Sequence, residues 1–324
     1  MNCQNHLESS SHRRKDTPFF SVIMPCFNSE GYISESIESV LQQTEEDFEL
    51  VVVDDFSTDN SRKIIQRFAG QDDRVIYTQN TRTRGASGAR NHGAHIARGE
   101  WLCFLDSDDI FREYCLENRR KCIELSSINF FSSDFYRWTS NSKLIPQSVA
   151  NIHWKHYFSQ PDIDGLVEIT NPIEVFLEGV VAWTGAVTLR KSLFIELNGF
   201  FEGLKRAEDH HLWLRCIALT KTIGLIKKPD VLYRIRYDGL SGGINRKTSY
   251  VIKMYDLLLE DPLFSTYKKE INHNIDRYLY LLSLSGREQR QWYRATHFGL
   301  KFWLRAPFDK KRFRNLIGAC LYLK

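Results

Sequence analysis

The sequence predicts an α/β fold in which a mostly parallel sheet is flanked by helices. Short apolar runs alternate with amphipathic segments over residues 19–105. The runs are continuously apolar, as strands covered on both faces must be. At 324 residues, with 42% hydrophobic and 26% charged residues, the chain is typical of a soluble globular protein with a full core. No apolar run approaches the roughly 18–20 residues of a membrane span.

The first half of the chain reads as β-α-β-α-β-α-β. The strands are expected at residues 19–24, 50–53, 75–77 and 101–105. Pro25 is expected to end the first strand, and Ile33, Ile37 and Val40 then fall on one face of a helix. A second helix is expected to begin at Asp59 or Asn60 and to end at Gly70, and a third covers residues 85–98.

The pattern is weaker further along the chain. Residues 126–175 are expected to be irregular with short strands, residues 183–190 to form a strand and residues 209–218 a helix. Beyond Tyr250 the chain is expected to be mainly helical. The seven cysteines form no CxxC pair, and the polar segment 1–17 lacks the apolar core of a signal peptide. Both features indicate a reducing, cytoplasmic location.

An acidic cluster follows the fourth expected strand, at Asp106-Ser107-Asp108-Asp109. Carboxylates packed so closely repel one another unless a cation lies between them. Oxygen ligands suit a hard divalent ion such as Mg2+ or Mn2+. The alternative is an acidic turn that caps a helix at Asp109.

Polar residues also follow the other expected strands. Asn28, Asp55 and the acidic cluster all come directly after apolar runs. Ligands of parallel sheets bind beyond the carboxyl ends of the strands, so this clustering independently predicts a site there.

With these residues, the chain resembles the family 2 glycosyltransferases with a GT-A fold. The resemblance covers roughly residues 19–240, and its matching segments in order are residues 21–28, 39–44, 53–60, 88–91, 99–100 with 106–109, and 199–200 with 208–209. The polar segment 1–17 is interpreted as a flexible tail. The resemblance implies a GT-A domain at 18–245, with a nucleotide-binding half at 18–125 and an acceptor half at 126–245. A helical basic C-terminal extension would then cover residues 246–324.

The resemblance implies a nucleotide-sugar donor, most often a UDP-sugar. Pro25, Phe27 and Asp55 would line the base pocket, with Asp55 accepting the uracil N–H. A carboxylate matches the uracil donor and mismatches the edges of cytosine and adenine. Arg90 and Asn91 would contact the nucleotide or order the acidic cluster; the alternative for Arg90 is a surface role.

Two acidic elements carry the implied chemistry. Asp106 and Asp108 look like the family's Asp-x-Asp element, with Asp108 as the direct metal ligand and Asp109 as a partner. Glu208 and Asp209 resemble the family's Glu-Asp pair, in which Asp209 would be the general base. The alternative for Asp209 is an N-cap of the helix at 210–218. Adjacent histidines diverge on a helix, so His210 and His211 are interpreted as structural.

The chain departs from the family pattern at two positions. Phe56 stands where the family often has Gly. Arg236 stands in place of a frequent His; as part of the site it would reach a phosphate and not ligate a metal.

The C-terminal end is basic and aromatic. From Arg287 to Lys324 there are ten Lys or Arg against two acids, a net charge of +8 that leaves −4 for the rest of the chain. Aromatic residues among these charges predict contact with an anionic membrane surface. Helical packing against the catalytic domain is the alternative. Nucleic-acid binding is a further alternative for a basic and aromatic segment, but the donor-site motifs disfavour it.

The sequence therefore predicts an inverting, metal-dependent UDP-sugar glycosyltransferase. It would act on a glycan or lipid-linked saccharide at the inner face of the cell membrane. A GDP- or dTDP-sugar transferase and a non-catalytic nucleotide-sugar-binding scaffold are the alternatives. A dinucleotide-binding oxidoreductase is disfavoured, because Gly85, Gly88 and Gly93 form no GxGxxG motif after a strand.

Overall fold

The computed structural model describes residues 17–138, 144–147, 152–179, 182–235 and 244–321. All but the last residue of the predicted tail at 1–17 lie outside the described residues, and so does Arg236. The first part contains β1 Phe20–Cys26, α1 Ile33–Leu41, β2 Phe48–Asp54, α2 Ser61–Ala69, β3 Val75–Gln79, α3 Ala86–Ile96 and β4 Trp101–Phe104. These are the predicted strands and helices in the predicted order.

These four strands form a fully parallel part of the sheet, in the order β3-β2-β1-β4. Every residue of β2 is buried, as its uninterrupted apolar run predicts. The α/β prediction with a mostly parallel sheet is therefore confirmed.

Pro25 does not end β1, contrary to expectation, because the strand continues to Cys26. Cys26 still pairs with Asp54 of β2, whereas pairing with β4 ends at Ile23 and Phe104. The missing N–H of Pro25 thus falls beyond the last β4 pair, so the sheet loses no hydrogen bond.

The second part of the chain is more regular than predicted. It contains β5 Ile110–Phe111, α4 Cys115–Glu124, β6 Phe130–Trp138, β7 Ile145–Pro146, α5 Ile152–Phe158, β8 Leu166–Thr170, α6 Ile173–Glu178, β9 Val187–Arg190, α7 Lys191–Glu196, α8 Glu208–Thr220 and β10 Thr222–Arg234. Residues 126–175 were expected to be irregular with short strands. The short strands β7 and β8 are present among the described residues, but the expectation missed the long strand β6 and the helices α5 and α6. Of the strand predicted at 183–190, only β9 forms, after a 3-10 turn at Thr184–Ala186.

The later strands extend the same sheet beyond β4, in the order β4-β9-β6-β10-β5. β9 runs antiparallel to β4 and β6, whereas β10 runs parallel to β6. Buried apolar residues pack on both faces of this mixed sheet. One of these cores includes Trp213 of α8, which stacks on Phe130 of β6 at 5.5 Å between ring centroids.

The C-terminal part is helical, as predicted. Its helices are α9 Ile244–Glu260, α10 Lys268–Glu288, α11 Trp292–Leu304 and α12 Lys310–Cys320. Tyr255 of α9 and Ile271 and Ile275 of α10 are buried in the core shared with α8. Among the described residues, none of the helices has the length and apolar character needed to cross a membrane.

Candidate functional site

The carboxyl ends of β1, β2 and β4 lie side by side at one edge of the sheet. Asp55 N–H donates to the carbonyl of Cys26, and Leu105 N–H donates to that of Ile23. Phe27, Asp55 and Asp106 therefore emerge at the same edge, where parallel sheets bind ligands.

Asp55 is buried and organises the loop before α3. Its Oδ1 accepts a 2.6 Å hydrogen bond from Asn80 Nδ2, and its Oδ2 accepts one of 2.7 Å from Gly85 N–H. Gly85 has a φ of +120°, which a side chain would strain, and it leads directly into α3. Phe27 is 53% exposed nearby, and Pro25 is partly buried. Asn80, a buried polar residue after β3, was not predicted from the sequence.

Arg90 of α3 connects two of the predicted acidic elements. Its Nη2 donates to Asp106 Oδ1 at 2.6 Å, and its Nη1 donates to Glu208 Oε1 at 3.1 Å. The guanidinium side chain is only 5% exposed, so the surface alternative for Arg90 is wrong. The two carboxylates hold the pKa of Arg90 above its usual value despite burial. Arg90 therefore links the acidic cluster to the Glu208-Asp209 pair through two ion pairs.

Asn91 fixes the loop that leads toward α8. Its Nδ2 donates to the carbonyl of Phe200 and to Glu202, and its Oδ1 accepts from Phe200 N–H. Gly199 makes this approach possible, because a Cβ there would lie 2.5 Å from Asn91 Oδ1. The hydrogen bonds described for Asn91 thus point to loop positioning.

The acidic cluster forms a turn between β4 and β5, and no helix begins at Asp109. The helix-cap alternative is therefore wrong. Asp106 and Asp108 are partly exposed, whereas Asp109 is buried at 1% exposure. Burial, together with the charges of Asp108 and Asp106, raises the pKa of Asp109 well above its usual value.

Arg234, at the end of β10, holds this turn and was not predicted. Its backbone N–H donates to Asp109 Oδ1 and its Nε to the carbonyl of Asp108, both at 2.7 Å. Its guanidinium also pairs with Glu35 and lies 4.3 Å from the Trp138 ring centroid. Its sequence signal is its position two residues before Arg236, which departs from the family pattern.

Glu208 and Asp209 form the first turn of α8. Ala207 occupies the N-cap position in a left-handed conformation with φ 60°, so the N-cap alternative for Asp209 is wrong. Asp209 is partly buried, and its Oδ2 accepts a 3.2 Å hydrogen bond from Thr184 Oγ1. Burial and the neighbouring charge of Asp209 raise the pKa of Glu208 to about 6, against the opposing effect of Arg90.

The two histidines after Asp209 are both buried. His210 Nε2 lies 2.7 Å from the carbonyl of Phe176, and burial lowers the pKa of both rings. These surroundings fit the structural interpretation of His210 and His211.

The acidic turn has donors that fit a hard divalent cation. Within the described residues, no three His, Cys, Asp or Glu side chains are gathered closely enough to hold a metal by themselves. Asp109 Oδ2 is nevertheless buried without a hydrogen-bond partner, and the charges of Asp108 and Asp106 act on its carboxyl group. Such a turn suits an ion that takes its remaining ligands from water and phosphate oxygens, as Mg2+ commonly does.

Comparison with known proteins agrees with this geometry. A profile of glycosyl transferase family 2 matches residues 21–162. An uncharacterized glycosyltransferase of Methanocaldococcus jannaschii is 30% identical over 227 residues, which are 68% of this chain and 72% of that protein. The Escherichia coli UDP-Glc:alpha-D-GlcNAc-diphosphoundecaprenol beta-1,3-glucosyltransferase WfgD is 38% identical over 135 residues, which are 42% of this chain and 52% of that protein.

The fold matches that of solved glycosyltransferase structures. S. aureus TarS in complex with UDP-GlcNAc superposes with a TM-score of 0.64 at 22% identity, covering 93% of this chain and 79% of that one. The chain belongs to glycosyl transferase family 2 and has the GT-A fold. It is a glycosyltransferase that uses a nucleotide sugar.

Proposed function

We propose that this protein is an inverting glycosyltransferase that moves a hexosyl group from a UDP-sugar to a hydroxyl of a glycan or lipid-linked saccharide. The observation that carries the proposal is the double ion pair of Arg90, with Asp106 on one side and Glu208 on the other. This pair joins the acidic turn to the helix turn that carries Asp209, although about 100 residues separate them in the chain.

The donor assignment is supported by two residues that follow β1 and β2, at the same edge of the sheet. Phe27 is exposed where a base can stack, and the buried carboxylate of Asp55, which Asn80 and Gly85 position, lies at the end of the neighbouring strand β2. WfgD is a UDP-Glc-dependent glucosyltransferase that acts on a diphosphoundecaprenol-linked sugar, and the TarS structure contains UDP-GlcNAc. We extend both properties, the uridine donor and the lipid-linked or polymeric acceptor, to this chain.

The chemistry assigns one role to each acidic element. Asp209 takes the proton of the acceptor hydroxyl as that oxygen attacks the anomeric carbon from the face opposite the diphosphate. The bond between sugar and phosphate breaks, and its electron pair leaves with UDP. Mg2+ or Mn2+ at Asp106 and Asp108, with Asp109 beside them, would neutralise charge on the diphosphate. Arg90 keeps Asp106 and Glu208 in place.

The cysteines support a cytoplasmic setting for this reaction. The six described cysteines are all unpaired, and five of them are buried. Unpaired, scattered cysteines are the usual pattern in a reducing compartment.

UDP release from UDP-, GDP- and dTDP-sugars, with Mn2+, Mg2+ or EDTA, tests the donor and the metal together. We expect slow release from one UDP-sugar that EDTA abolishes. Asp108→Asn should weaken metal-dependent UDP binding, whereas Asp73→Asn, an exposed aspartate on the loop before β3, should behave like the wild type. Preference for a GDP-sugar would refute the donor assignment, and the absence of any donor binding would favour a non-catalytic protein.

A further inference from the structure

Helix α11 presents apolar side chains on two opposite sides. Ala295, Gly299 and Phe302 are buried against the rest of the protein. The other side carries three exposed side chains: Tyr293 at 85%, Leu300 at 41% and Leu304 at 59% exposure. Their spacing of seven and four residues puts them on one stripe of the helix. An ordinary surface helix has a polar side there.

Helix α12 repeats this arrangement. Asn315 and Ala319 are buried, while Phe313 is 49% and Ile317 38% exposed. The turn between the two helices carries Phe308, which is 99% exposed. The exposed apolar residues of both helices and the turn are here called the apolar face: Tyr293, Leu300, Leu304, Phe308, Phe313, Ile317 and Leu321.

The two helices that carry these stripes pack on each other. The rings of Trp303 and Phe313 are 6.4 Å apart between centroids, which connects α11 to α12. Trp303 Nε1 donates to the carbonyl of Pro307, so the turn that carries Phe308 is held against α11. Single exposed apolar side chains scattered over a surface would need no explanation, but a set of them along two packed helices and the turn between them indicates a binding surface.

The helices that carry the apolar face are also rich in positively charged residues. Between Trp292 and Leu321 there are seven Lys or Arg and one acid, Asp309, a net charge of +6. Arg305 and Arg312 both pair with Asp276 of α10 and so fasten the helices to the protein. The other basic side chains include four exposed ones: Lys301, Lys310, Lys311 and Arg314.

We propose that the apolar face docks on an anionic phospholipid surface, with α11 and α12 lying in its plane. Exposed Leu, Ile and Phe side chains would enter the headgroup and acyl boundary, and the Lys and Arg side chains would meet the lipid phosphates. A nucleic acid fits less well, because the aliphatic side chains Leu300, Leu304 and Ile317 offer bases nothing to stack on. A second copy fits less well because two faces of like charge repel, and interface cores are depleted in lysine.

Sedimentation of the full chain with phospholipid vesicles tests this surface independently of catalysis. We expect the protein to sediment with vesicles of phosphatidylglycerol and phosphatidylcholine, to stay in solution with phosphatidylcholine alone, and to be released by salt. Leu304→Ser with Phe308→Ser should weaken binding about tenfold or more. Lys310→Glu with Arg314→Glu should weaken it at least about thirtyfold, since each basic residue contributes about fivefold.

Matched controls separate this surface from general effects. Lys63→Glu with Arg67→Glu makes the same charge change on exposed positions of α2, and Ile163→Ser with Ile195→Ser removes exposed apolar side chains elsewhere. Both controls should bind vesicles like the wild type. The proposal is overturned if the wild type stays in solution, if it binds neutral vesicles equally well, or if the test variants bind unchanged. Self-association in sedimentation velocity, lost in Leu304→Ser with Phe308→Ser while vesicle binding is absent, would assign the face to a second copy.

Discussion

Phe56 holds a backbone conformation that is unfavourable for a bulky side chain. Its φ is 64°, in the left-handed region, at a position where the related pattern often has glycine. The ring is 37% exposed, and the guanidinium of Arg84 lies 4.8 Å from its centroid. Strain of this kind persists where the surrounding structure or a function requires it. Phe56 directly follows Asp55, which is a proposed donor-site residue.

Replacing Phe56 with glycine should stabilise the protein. Glycine adopts the left-handed region freely, so we expect the free energy of unfolding in urea to rise by about 1 kcal/mol. Phe56→Leu keeps the strained backbone and serves as the control, with no gain. A lower stability for Phe56→Gly would mean that packing on Arg84 outweighs the strain.

We expect Arg234 to affect donor binding by positioning the acidic turn, and not by taking part in the reaction. Arg234→Lys keeps the positive charge and the backbone hydrogen bond to Asp109, but removes the Nε donor to the Asp108 carbonyl. We expect metal-dependent UDP affinity, measured by calorimetry, to fall about tenfold. Metal-independent binding and the thermal midpoint should change little.

Arg190→Lys is the matched control for this prediction, since Arg190 pairs with Glu100 away from the acidic turn. Equal losses of UDP affinity with and without metal in Arg234→Lys would contradict the positioning role.

At the scale of elements, α8 combines the proposed base with two buried histidines. Burial lowers the pKa of His211 to about 4, below its usual 6.5. The unfolded chain therefore binds more protons between these values, and the stability that neutral His211 contributes is lost as the pH falls from 6.5 toward 4. Each pKa unit of this difference corresponds to about 1.4 kcal/mol of unfolding free energy.

His211→Gln should remove this part of the pH dependence. Between pH 7 and pH 4.5 we expect the wild type to lose roughly 2 kcal/mol more unfolding free energy than the variant. His210 is present in both proteins, so its own titration cancels in the comparison. Parallel stability curves for the two proteins would contradict the buried neutral state of His211.

The elements that the sequence predicted are those whose apolar pattern is simple. β2 is a run of apolar residues buried on both faces, and α1 has one apolar stripe. β6 escaped prediction because its centre contains Ser132, Ser133 and Asp134, which read as a loop but are buried. Ser133 Oγ donates to Asp230 Oδ1 at 2.6 Å, and Asp230 pairs with the buried Arg119. Only the tertiary structure supplies these partners.

The candidate site also contains residues that the sequence reveals and residues that only the tertiary structure reveals. Asp55, Asp106–Asp109 and Glu208-Asp209 stand at element ends and could be selected from the sequence. The contacts of Asn91 with Phe200 and of Arg234 with Asp109 join residues more than 100 positions apart. No local pattern encodes such pairs, so Arg234 and Thr184 could not be assigned before the fold was known.

At the scale of the whole molecule, the proposed site joins the acidic turn in the first half of the chain to Asp209, which a later segment supplies. Arg90 is the described link between them, through Asp106 and Glu208. The central claim is that this link holds Asp209 as a general base next to a donor bound at the acidic turn. The claim predicts that donor binding and turnover depend on different residues.

Parallel measurement of UDP-sugar affinity and of sugar transfer by Asp209→Asn tests that claim most directly. We expect the dissociation constant to stay within about twofold of the wild type, while turnover falls about 100- to 10,000-fold, because the amide cannot take the acceptor proton. Asp73→Asn, with the same chemical change at an exposed position, should retain both activities. Retained turnover in Asp209→Asn, or a loss of donor binding as large as the loss of turnover, would contradict the assignment of Asp209 as the base.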